Sequence, residues 1–88
     1  MTTQETKFEY IERNVVLTLE NTEPLYRLAL EVIDFTIDNN QISNLTSAIL
    51  KQIEKDSGDD YFPHYSEIQV LKQVVAERVK ELQDEAKA

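Results

Sequence analysis

Apolar residues recur at helical spacing along most of this chain, most densely in Thr22 to Asn39, TEPLYRLALEVIDFTIDN. At about 100° per residue, Leu25, Leu28, Val32 and Phe35 form one stripe, widened by Ala29. Tyr26, Leu30, Ile33 and Ile37 form a second stripe beside it, and Arg27, Glu31, Asp34 and Asp38 share what remains. The apolar arc spans roughly 220°, wider than the single stripe of a surface helix. The pattern therefore predicts a central helix over 22–39, covered from at least two directions by the rest of the chain.

The same periodicity predicts three more helices. Thr6 and Glu9 have capping-box spacing, and Phe8, Ile11, Val15 and Leu19 continue as one face, so a helix is expected from about Lys7 to Glu20. The β-branched run Val15-Val16-Leu17-Thr18-Leu19 leaves an N-terminal hairpin around Arg13-Asn14 as the alternative, which would make the fold α+β. The lack of an Asn-Gly or Asp-Gly turn favours the helix. Asn21-Thr22 reads as a break and a new N-cap, with Glu23 and Pro24 suited to a first turn. Asn39-Asn40 reads as a stop, Asn being the usual substitute for Gly in a left-handed cap.

Ser43 is the next N-cap candidate, before a helix with Ile42, Leu45, Ile49 and Ile53 on one face that ends near Lys55. Asp56 to Tyr65, DSGDDYFPHY, is the one substantial loop. Ser66 then starts a last helix with Ile68, Leu71, Val75, Val79 and Leu82 on its inner stripe, broadened by Val70 and Val74. Residues 1–5 and 85–88 are expected to fray. The expected fold is all-α, a small antiparallel four-helix bundle formed by residues 1–88 as a single domain.

Composition narrows the class further. A chain of 88 residues supports one modest core. One Gly and two Pro supply too little turn chemistry for a many-stranded sheet. There is no cysteine for a disulfide framework or thiol chemistry. MTTQETKFE has neither the basic nor the apolar region of a signal peptide, and no run approaches the roughly 20 apolar residues of a membrane span. A soluble, cytoplasmic protein with no membrane association is expected.

Charge changes the picture more. Seventeen acids stand against nine Lys and Arg, a net of −8. That field repels phosphates and anionic lipids and suits a basic partner. It is also uneven: Glu20 to Asp38 and Glu54 to Glu67 each hold five acids and one base, whereas the stretch from Ile68 onward balances four against four.

Candidate chemistry is sparse. Asp56, Asp59, Asp60 and Glu67 could suggest a hard cation, but Gly58 is not placed as an EF-hand requires, and one His cannot build a zinc site. Ser57 or Ser66 with His64 and a nearby Asp lack any nucleophile elbow, and no phosphate-cradling Gly-rich loop exists. No enzyme activity, metal or cofactor is expected. Lys72, Arg78, Lys80 and Lys87 are interleaved with acids rather than gathered on a basic face, so direct nucleic-acid binding is not expected either.

Protein binding remains. Tyr61, Phe62 and Tyr65, with His64, sit in a loop rimmed by Asp59, Asp60 and Glu67, the arrangement of aromatic anchors within a polar rim. With Asp56 and the central acids Glu31, Asp34 and Asp38 they form the expected partner-binding set. The acids would speed the encounter with a basic surface and the rings would hold it.

Leu45-x3-Ile49, Glu54 and Ser57-Gly58-x-Asp60, followed by aromatics and Pro63, resemble the second helix and following turn of colicin-type nuclease immunity proteins. The match covers about 20 residues. This chain has Tyr61-Phe62-Pro63 where that family carries a longer apolar-tyrosine-tyrosine-proline run, and an additional helix before Leu45. The resemblance implies an acidic helical domain that neutralises a basic nuclease. The residues themselves point to a non-enzymatic inhibitor or regulator docking on a basic protein, such as a nucleic-acid-handling enzyme, with carboxylates in place of phosphates. The alternative is a structural subunit of a homodimer or larger homo-oligomer, in which a second copy covers the wide apolar arc.

Overall fold

The structure is a computed structural model that describes residues 6–58 and 64–87. It is an all-α four-helix bundle, with α1 Lys7–Asn21, α2 Glu23–Glu31, α3 Asn40–Ser57 and α4 Tyr65–Lys87. Each helix packs against the other three, and α1 is the most extensively packed. Residues 7–21 form a helix and not the alternative hairpin. The Thr6 hydroxyl accepts the Glu9 amide at 3.0 Å and donates to the Glu9 carboxylate at 3.2 Å.

The expected stripes supply most of the core. Ile11, Val15 and Leu19 of α1 meet Ile42, Leu45, Ile49 and Ile53 of α3 and Leu71, Val75, Val79 and Leu82 of α4, all buried. Thr46 is the one buried polar residue among those described, and its hydroxyl donates to the Ile42 carbonyl at 2.8 Å. Deleting a fully buried Ile or Leu from such a core costs about 2–5 kcal/mol.

Between α1 and α2 lies the single residue Thr22. Its amide donates to the Thr18 carbonyl at 3.0 Å, and its side chain makes no capping bond, so the turn is set by its extended backbone and by Pro24. Behind this turn Arg78 of α4 clamps α1: its Nε donates to Glu20 Oε1 at 2.7 Å, its Nη2 donates to the same oxygen, and its Nη1 donates to Glu81 at 2.6 Å. The Glu20 and then the Glu81 carboxylate raise the Arg78 pKa above its ordinary value.

The central helix is shorter than the pattern predicts. It stops at Glu31, and Val32 is already extended at φ −66° and ψ 127°. Two side chains from elsewhere end it. Gln83 of α4 donates its amide to the carbonyls of Ala29 at 2.9 Å and Val32 at 2.8 Å, with Leu30 at 3.5 Å. Gln41 Oε1 accepts the amides of Ile33 and Asp34, each at 3.0 Å. These bonds occupy groups that a continuing helix would pair with itself.

Four smaller boundaries move as well. Asn39 is extended at φ −81° rather than left-handed, and its side chain accepts the Gln41 amide at 2.8 Å, so it opens α3 in place of Ser43. Gly58, at φ +69°, takes the left-handed cap that closes α3. At α4 the His64 amide donates to Glu67 Oε1 at 2.9 Å, starting that helix ahead of Ser66. It continues to Lys87, past the point where fraying is expected. No described helix is long and apolar enough to cross a membrane.

Candidate docking face

Ending α2 at Glu31 changes what its apolar residues do. Leu25, Ala29 and Val32 stay in the core, Val32 only 5% exposed. Leu28, placed on the same stripe by the sequence, is 48% exposed, and Ile33 is 86% exposed. The segment 32–39 leaves the helix axis, so Ile33 no longer follows the turn of α2 into the bundle. Phe35 still packs against the core, with Lys80 Nζ 5.4 Å from its ring centroid.

Beside this exposed pair lies an open cavity of about 220 Å³ between the end of α2 and the start of α3. Leu28, Glu31, Val32, Gln41, Asn44 and Leu45 line it. Val32 and Leu45 make an apolar floor, and Leu28 forms part of the wall. Ile33 adjoins the cavity, since it follows Val32 and donates its amide to Gln41.

The three acids expected to share one helical face part company here. Glu31, the last residue of α2, lines the cavity and is exposed. Asp34 turns back on its own segment: Oδ1 accepts the Thr36 amide at 3.0 Å and Oδ2 accepts the Asn39 side-chain amide at 2.9 Å. Bonds from the Thr36 side chain and then from its backbone amide hold the Asp34 carboxyl below its ordinary pKa. Asp34 is thus a loop staple. Asp38 is exposed, and neither it nor Glu31 is ion-paired among the described residues. Arg27, one position from Leu28, is bonded to Glu23 at 2.5 Å.

The described remainder of the expected set lies elsewhere. Asp59, Asp60, Tyr61 and Phe62 lie outside the described residues. Asp56 accepts the Gln52 side-chain amide at 3.0 Å, Glu67 helps to start α4, and His64 and Tyr65 are exposed, Tyr65 at 78%. These residues flank the far end of α3. Eighteen residues of helix put about 27 Å between its ends, so the described acids form two groups. Among the described residues no three His or carboxylate groups converge as metal ligands.

Leu28 and Ile33 escape the sequence reading because their spacing matches a buried stripe, and Gln41 and Asn44 carry no pattern of their own. A local signal did exist. Val32-Ile33 and Thr36-Ile37 are β-branched, and Asp34 with Thr36 has the spacing of an Asx turn. No protein-family model matches the chain, and no curated protein and no solved structure is significantly similar to it.

Proposed function

We propose that this chain is a non-enzymatic protein-binding module that docks an acidic, partly apolar face on a basic partner protein and acts there as an inhibitor or regulator. The observation that carries this reading is exposed Leu28 and Ile33 at a cavity lined by the Glu31 carboxylate, with Asp38 exposed in the turn that follows and neither acid ion-paired among the described residues. An apolar centre within a polar rim is the usual anatomy of a protein interface. The net charge of −8 favours encounter with a basic surface. One concrete form is an inhibitor that covers the substrate groove of a cytoplasmic nucleic-acid-handling enzyme; a nuclease-immunity-like protein that neutralises a basic nuclease is another.

The test is capture of binding proteins from the source cell's lysate on the immobilised chain, washed at low and then at high salt. A basic protein retained at low salt and released at high salt is the expected result, because charge-driven docking is screened by ions. Exposure of Ile33 also favours a second reading, a homo-oligomer subunit. Recovery of the chain alone at both salts would select that reading over the first.

A further inference from the structure

We infer that the cavity between α2 and α3 is an anchor pocket for one large apolar side chain of a cationic, amphipathic segment of the partner, with the segment's positive groups set against Glu31 and Asp38. This rests on the basic-partner reading and deepens it. The cavity measures about 220 Å³. A benzene-sized ring fits an apolar cavity of about 150 Å³, so one aromatic or branched aliphatic side chain is of the right size. Pockets for cofactors or metabolites run to roughly 300–1,000 Å³ and enclose their ligand, which this open groove does not.

Its chemistry is divided in the same way. Val32 and Leu45 floor it, Leu28 and neighbouring Ile33 offer exposed apolar area, and among the described residues Glu31 is the one charged group in its lining. Arg27 is ion-paired with Glu23 at the surface, and Asp34 keeps its negative charge while its oxygens are taken by Thr36 and Asn39, so the charges along this corner favour an incoming cation. A helix that carries its apolar residue and its cations three or four positions apart presents both on one face. A second copy of this chain would bring the same unpaired acids and a further charge of −8 to the contact, and like charges oppose such pairing.

The experiment titrates the whole isotope-labelled chain with three synthetic peptides of equal length: an amphipathic Lys–Leu helix, a Lys–Ser peptide of the same charge, and a Glu–Leu helix. The Lys–Leu peptide is expected to bind about tenfold or more tighter than Lys–Ser and to move backbone signals across residues 28–45. Leu28→Gln, and separately the pair Glu31→Lys with Asp38→Lys, should each weaken it about tenfold with helicity retained. The surface pair keeps the test decisive if Leu28→Gln fails to fold. The control pair Glu77→Lys with Asp84→Lys, exposed acids on α4, should leave most of the affinity.

Equal weakening by the control pair, or binding that leaves residues 28–45 unmoved, would overturn the pocket and leave the basic-partner reading standing. Binding of the Glu–Leu helix as tightly as Lys–Leu, or self-association of the chain through these residues, would overturn the cationic occupant. No binding of either lysine peptide would overturn both the pocket and the reading beneath it.

Discussion

The two ends of α2 are built by different means. Its start is local: one extended residue, Thr22, then Glu23 and Pro24 in the first turn, with the Tyr26 amide donating to the Thr22 carbonyl at 2.9 Å. Its end is imposed from outside, by Gln83 on its carbonyls and Gln41 on the amides just beyond. Residues at the start could be read from their own chemistry. Those at the end could not, because the groups that stop the helix stand seven or eight and more than fifty positions from the backbone they bind. The surface differs accordingly, since the imposed stop puts Ile33 outside the helix and in the open near the cavity.

The largest expected effect separates two residues of one stripe. Val32→Asp places an unpaired charge in the core and should unfold the domain, a loss on the order of 4 kcal/mol or more. Leu28→Asp should change stability by no more than about 1 kcal/mol and leave far-ultraviolet dichroism intact. If thermal melts showed both variants unfolded, the stripe would be a single core after all.

Gln83→Ala comes next. It strips the side-chain donor from the end of α2 and should cost about 1–3 kcal/mol, with faster hydrogen exchange around residues 29–34. An unchanged melting temperature would show that the end of α2, like its start, is locally encoded. Pro24→Ala tests the other end and should cost about 0.4–1 kcal/mol, chiefly by freeing the unfolded chain. A larger loss in a denaturant titration would mean that packing as well as local geometry sets the start.

Protonation of Asp34 should have the smallest effect and loosen the connection after α2. The folded Asp34 carboxyl lies below its ordinary value, so the unfolded chain binds this proton first as pH falls. Its contribution is therefore complete above the unfolded value of about 3.9 and is lost as pH drops through the folded value. The Thr36 amide resonance should move with that titration, and Asp34→Asn should abolish the movement. A titration at the ordinary position would show that the Thr36 bonds do not hold in solution.

Most of the fold was legible from periodicity because Ile11, Val15 and Leu19, Ile42 to Ile53, and Leu71 to Leu82 repeat over several turns and face one core. Burial and spacing agree wherever a stripe is long enough. They part at 32–39, where the phase of the pattern continues although the backbone does not. Val32 is buried in either conformation, so its hydrophobicity gave no warning of the change. Asn39 has the side chain of a left-handed stop and is an extended start, since the same side chain serves both ends of helices. Of the expected site residues, Glu31 and Asp38 remain exposed and unpaired among the described residues, and Asp34 is spent on its own turn. Exposure of Ile33 depends on where α2 ends, which Gln83 of α4 helps to set.

The Gln83 bonds also bear on the order in which the molecule forms. They join groups 51 to 54 positions apart, so they close only after α4 has docked. Until then residues 32–37 are free to sample additional turns of α2. The transition state for folding should hold the α1, α3 and α4 contacts while this corner is still unset. Gln83→Ala should then speed unfolding with little change in the folding rate, a φ-value near zero. The docking face would be the last part of the molecule to take shape and the first to be lost.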